Sequence, residues 1–123
     1  MADDSVIAVV DDDESVRESL QGLLRSLGYP VRVFVSGEDF LAANGLDETR
    51  CLILDVRMPG MTGLELQRRL RASGAAVPII FITAHGEEET KNQALGGGAV
   101  AFLVKPFAED AVLSSLNLAL AGR

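Results

Sequence analysis

The sequence predicts an α/β fold in which a parallel sheet carries helices on both faces. Three observations predict it. Five short apolar runs rich in β-branched residues recur along the chain, at 6–10, 31–35, 51–54, 78–83 and 101–104. The segments between them carry helical rather than alternating spacing. A strand followed by a helix, five times over, can bury both sheet faces only through right-handed crossovers between parallel strands.

The first run, VIAVV, leads into the clearest helix, where Val16, Leu20, Leu23, Leu24 and Leu27 share one face. Asp13 or Ser15 is suited to cap its start, and Gly28 to end it. After the second run, VRVFV, Ser36 with Asp39 three residues on resembles a capping box opening the second helix. The third run, CLIL, precedes a helix beginning near Thr62 or Gly63 and reaching about Ser73 through Leu64, Leu66 and Leu70, where Gly74 and Pro78 break the pattern. The fourth helix, 87 to about 95, is assigned by alternation, because EEETKNQ offers little apolar face. The fifth starts after Pro106 and carries Val112, Leu113, Leu116 and Leu120.

At 123 residues, 48% hydrophobic and 24% charged, the chain has the size and composition of one globular domain, expected to span 1–123. Cys51 stands alone, so no internal disulfide forms, and with His85 the only histidine there is no Cys/His set for zinc. The start, MADDSVIAVV, is acidic where an export signal is basic, and no apolar stretch approaches the ~20 residues that span a bilayer. The expected compartment is the cytoplasm, with no membrane association. A net charge of −7 repels phosphate backbones, so direct nucleic-acid binding is not expected. Arg68, Arg69 and Arg71 read as a solvated helix face.

In sheets of this kind ligands bind beyond the carboxyl ends of the strands. The first strand runs into Asp11, Asp12 and Asp13, and the third into Asp55. Each alone reads as a turn or cap. Together they are carboxylates that raise one another's pKa unless a cation sits between them, and oxygen-only ligands suit Mg²⁺ or Mn²⁺. The fourth strand ends at Thr83 and the fifth at Lys105-Pro106, adding a hydroxyl and a cation at the same edge. Alone, Thr83 would be β propensity and Lys105 a solvated charge. A cis bond before Pro106 is one way to aim Lys105 back across the strand ends.

The motifs VVDDDESVRESL, LILDVRMPGMTG, FITAHG and FLVKPF, in this order and spacing, resemble the receiver domains of two-component response regulators, the FixJ-type subfamily above all, over essentially the whole chain. The resemblance implies a flavodoxin-like (βα)5 fold with strand order 2-1-3-4-5. It makes Asp55 the phosphoacceptor, with Asp11, Asp12 and the Arg57 backbone carbonyl completing a Mg²⁺ site and Asp13 left as helix cap. Thr83 and Lys105 become the hydroxyl and lysine that meet the phosphoryl group, and Phe102 the aromatic that changes rotamer with Thr83 on switching. Pro59 and Gly60 shape the loop after Asp55. Read as residues, His85 is expected to line the phosphoryl pocket and affect dephosphorylation rather than to serve as a phosphohistidine, Met58 and Met61 to pack the loop, and Cys51 to be core. The implied donor is a sensor histidine kinase. The implied output is a C-terminal helix-turn-helix DNA-binding domain or a separate partner, reached through the surface of helix four, strand five and helix five. The chain is then a signalling phosphoacceptor rather than an enzyme.

Two other functions compete. A phosphatase of the haloacid dehalogenase class needs a second Asp two residues after its nucleophile, where this chain has Arg57. A flavodoxin-like flavin carrier needs a phosphate-cradling loop after the first strand, where three aspartates would repel the phosphate. The departure from the family lies at Gly96 and Gly97, which fall where helical residues are expected, while Gly98 matches the family's usual turn glycine; either the last turn of helix four is frayed or unwound, or the three glycines form one exposed loop. An unphosphorylated monomer that dimerises weakly, if at all, through helix four is the corresponding expectation.

Overall fold

The computed structural model describes residues 5–121; the outermost residues of the expected 1–123 unit lie outside them. Five strands, β1 (Val6–Val10), β2 (Val31–Phe34), β3 (Thr49–Asp55), β4 (Ile79–Thr83) and β5 (Ala101–Val104), form one parallel sheet in the order β2-β1-β3-β4-β5. The helices are α1 (Glu14–Ser26), α2 (Gly37–Ala42), α3 (Gly63–Ala72), α4 (Glu88–Gly96) and α5 (Glu109–Ala121), with a 3-10 turn at Gly45–Asp47. No helix among the described residues is long and apolar enough to cross a membrane.

Alternation of side chains along the strands divides the core in two. Ala8, Val10, Leu52, Leu54 and Phe81 face one layer with Phe34, Phe40, Leu66, Leu70 and Ala94, drawn from β2 and helices α2, α3 and α4. Ile7, Val9, Cys51, Ile53, Ile80 and Ile82 face the other, against Leu20 and Leu24 of α1 and Val112, Leu116 and Ala119 of α5. Both faces are covered, which is why the strands read as continuous apolar runs.

The caps fall close to their predicted places. Asp13 accepts the Ser15 and Val16 N–H groups at the head of α1. Ser36 accepts from the Asp39 N–H at 3.0 Å, one half of a capping box. The complete box is at α3, where Thr62 and Glu65 bond reciprocally. Strand β3 is longer than expected, because Thr49 and Arg50 extend the alternation: Thr49 is buried and Arg50 exposed.

Helix α4 corrects the expectation of an unwound or wholly looped end. It winds through Gly96, and the Gly98 and Ala99 N–H groups close it onto Leu95 and Ala94 carbonyls at 2.9 and 3.1 Å, with Gly98 at φ +99°. That is a Schellman closure, and it satisfies the carbonyls that fraying would expose. Gly97 has a different reason. A Cβ there would lie 2.7 to 2.9 Å from the side-chain amide of Gln67, which is buried on α3 and donates to the Ala94 carbonyl at 3.0 Å. The glycine lets α3 and α4 approach through a polar peg.

Candidate functional site

The carboxyl ends of β1, β3, β4 and β5 form one edge, and the sequence-predicted residues gather there. Asp55 is the last residue of β3 and only 5% exposed; Asp11 directly follows β1 and is fully buried. The carboxylates of Asp11, Asp12 and Asp55 each bring an oxygen within 4.8 Å of the others. Donors around one octahedral Mg²⁺ stand about 3 to 4 Å apart, so small adjustments close these three around such an ion. The donor set is all oxygen, as Mg²⁺ and Mn²⁺ prefer.

Asp11 is held at every polar atom. Its N–H donates to the Phe34 carbonyl at 3.1 Å, Oδ1 accepts the Asp13 N–H at 2.9 Å, Oδ2 accepts Lys105 Nζ at 3.0 Å, and its carbonyl accepts Arg17 Nη1 at 2.8 Å. Asp12, by contrast, is exposed, and its carboxylate makes no hydrogen bond among the described residues. Lys105 Nζ also stands 3.9 Å from Asp55 Oδ1. The Lys105-Pro106 peptide is cis, as the sequence suggested it could be.

Burial pushes the Asp55 carboxyl up to about 7, and the Asp11 charge adds to the rise. Lys105 and the Arg57 N–H, which donates to the carboxylate, oppose it without prevailing. A carboxylate poised to lose its proton near neutrality marks a functional position more than a structural one. Asp13 behaves differently: hydrogen bonds from Ser15 and Val16 hold it below the ordinary range, as befits a cap.

Three predicted residues direct their side chains to partners outside this cluster. Thr83 is fully buried, but its hydroxyl donates to the His85 carbonyl at 3.2 Å and accepts the His85 N–H at 3.1 Å. Strand parity explains this, since Thr83 follows Phe81 on the α2–α4 face whereas Asp55 follows Ile53 on the α1/α5 face. Phe102 packs half-buried on the same face as Thr83, one strand away. The Arg57 side chain is exposed and pairs with Glu87, which stands at the N-cap position of α4 without capping it through its side chain, so the pair ties the loop after β3 to the loop after β4. Arg57 brings no carboxylate two residues beyond Asp55, which weighs against the phosphatase reading.

Backbone packing also fixes Asp55. A Cβ on Gly63 would sit 2.2 Å from the Asp55 carbonyl oxygen, so only glycine lets the head of α3 come this close; its N–H donates to the Val56 carbonyl at 2.9 Å. Glu38 of α2 steadies the same loop by accepting the Met61 N–H at 3.1 Å. Met58 is buried in the core layer beneath α2, α3 and α4, and Met61 packs half-buried against that layer, as expected of loop packing. A groove of about 410 Å³ opens beside Lys105, between Ser15, Val16 and Ser19 of α1 and Pro106 and Phe107.

Residues 7–117 match the family model of the response regulator receiver domain. The chain belongs to the response regulator receiver family. It is 46% identical over 117 residues to the response regulator protein TmoT of Ectopseudomonas mendocina, covering 95% of this chain and 53% of the relative. The transcriptional regulatory protein FixJ of Azorhizobium caulinodans is 41% identical over 114 residues, 93% of this chain and 54% of FixJ. This receiver chain therefore spans about half the length of the curated relatives it matches. Among solved structures, FixJ-N superimposes with a TM-score of 0.88 at 36% identity, covering 98% of this chain and 97% of that one. The receiver fold and its FixJ-type likeness are thus as the motifs implied.

Proposed function

We propose that residues 1–123 act as a single receiver unit that takes a phosphoryl group on Asp55 from the phosphohistidine of a sensor histidine kinase. One observation carries this reading: a nearly buried carboxylate at a strand end, with two further carboxylates within 4.8 Å and a lysine at 3.9 Å. A metal-free site of this composition is a poor resting place for charge and a good one for a cation.

Asp11, Asp12 and Asp55 would hold Mg²⁺ or Mn²⁺, with the Arg57 carbonyl as a further oxygen. When bound, the ion neutralises the clustered carboxylates and the charge on the transferring oxygens. Asp55, once ionised, attacks phosphorus with a carboxylate oxygen as the bond to the donor imidazole nitrogen breaks. Lys105, already within 3.9 Å of Asp55, meets the negative charge that arrives there. The Thr83 hydroxyl has to release the His85 carbonyl to donate to a phosphoryl oxygen, and that exchange draws on the loop leading into α4. Phe102, on the same face, follows the vacated space, and the α4, β5 and α5 surface changes with it.

In this reading the chain signals rather than turns over a substrate, is a monomer before phosphorylation, and hands its state to a helix-turn-helix output domain or a separate partner. The family relation to transcriptional regulators supports the former. The test is transfer from a phosphorylated histidine kinase domain with Mg²⁺ present. Label should appear on the unaltered chain and vanish with chelator or in Asp55→Asn. Transfer that ignores chelator would overturn the cation's part in it.

A further inference from the structure

Arg17 sits in the first turn of α1, where a cation opposes the helix dipole, so helix stability does not explain its place. It also forms no ion pair among the described residues, although this part of the chain is crowded with carboxylates. Its recorded side-chain bond runs back to the main-chain carbonyl of Asp11, at 2.8 Å and partly buried.

That carbonyl shares a rigid peptide plane with the N–H of Asp12. Fixing it fixes how the chain turns from the first acidic residue to the second. Asp11 does not need this help, because its amide and both carboxylate oxygens are already held by Phe34, Asp13 and Lys105. Asp12 does, because its exposed carboxylate has no bond of its own.

We propose that Arg17 is a positioning residue for the acidic pair: by holding the Asp11 carbonyl it sets the geometry in which the Asp12 carboxylate joins Asp11 and Asp55 as a cation ligand. The proposal rests on the ligand assignment made above. Its sign is diagnostic. Simple Coulomb reasoning says that deleting a positive charge beside three carboxylates strengthens cation binding; loss of a positioning bond weakens it.

The test is titration of the metal-free full chain with Mn²⁺ followed by electron paramagnetic resonance, and with Mg²⁺ by calorimetry, at fixed ionic strength. Arg17→Met should raise both dissociation constants about ten-fold, the low end of what losing a ligand-orienting partner costs. Arg17→Gln, too short to keep the bond, should do the same and serves if Arg17→Met does not fold. Arg17→Lys, keeping the charge and one donor, should fall between. An unchanged or tightened constant in Arg17→Met, with Asp12→Ala abolishing binding, overturns the role of Arg17 alone. A lower melting temperature in chelator with unchanged constants assigns Arg17 to the fold and also overturns it. Absence of binding in the unaltered chain overturns the ligand assignment and this inference together.

Discussion

Lys105 Nζ gives its short contact to Asp11, at 3.0 Å, while Asp55 lies farther away at 3.9 Å. The lysine is therefore a counterion of the fully buried Asp11 before it is a partner of the phosphoacceptor. Removing it should leave buried carboxylates without their cation. Lys105→Met is expected to cost about 3 kcal/mol in chelator at pH 8 and less at pH 5, below the raised Asp55 value of about 7, where Asp55 is uncharged and one buried charge fewer lacks its cation. Urea unfolding at the two pH values measures it; an equal loss at both would mean the lysine acts through packing.

The raised Asp55 pKa fixes a pH dependence. The folded state holds the Asp55 proton up to about 7, the unfolded chain only to the ordinary value of 3.8, so the folded state binds more protons between them. Stability of the metal-free protein should thus fall as pH rises from about 4 to 7 and level off above. Asp55→Asn should flatten this slope and be the more stable form at pH 8, with the difference fading near pH 4. A wild-type slope in Asp55→Asn would place the titration elsewhere.

Asp12 tests the cation site without touching the nucleophile. Asp12→Ala relieves repulsion, so its melting temperature in chelator should rise. Its response to Mg²⁺ should vanish, whereas the unaltered chain gains about 2.7 kcal/mol at 100 times the dissociation constant. Differential scanning calorimetry with and without Mg²⁺ reads both effects, and a variant that still shifts fully would remove Asp12 from the ligand set.

The two glycines at the end of α4 should respond oppositely. Gly96 is helical and nothing lies within 4 Å of a Cβ placed there, so Gly96→Ala should stabilise by about 0.5 to 1 kcal/mol. Gly97→Ala pushes into Gln67, which can retreat only by giving up its bond to Ala94, and should destabilise by about 1 to 3 kcal/mol. Denaturant midpoints of the single variants separate them; equal gains from both would mean that Gln67 is free to move.

Much of the site was legible because strands deliver their last residues to one edge. Val10 and Leu54 announce where Asp11 and Asp55 must lie, and Thr83 and Lys105 follow by the same reasoning. What alternation could have shown, and composition hid, is that Asp55 and Thr83 fall on opposite faces, so the hydroxyl turns to His85 instead. Thr49 and Arg50 lengthen β3 although neither is an apolar strand former. Arg17, Glu38 and Glu87 look like surface charges in the sequence, and their work depends on contacts with Asp11, Met61 and Arg57 that only the folded chain creates. Gln67 offers no sequence signal, since a polar residue among Arg68 and Arg69 reads as solvent-facing.

The claim that everything else depends on is that Asp55 carries the phosphoryl group. Incubating the chain with acetyl phosphate and Mg²⁺, then locating the modification by peptide mass spectrometry at acidic pH, tests it most directly. One phosphoryl group per chain on the peptide containing Asp55, absent from Asp55→Asn, is the predicted result. Modification of Asp55→Asn at normal stoichiometry, or of a peptide lacking residue 55 in the unaltered chain, would contradict it.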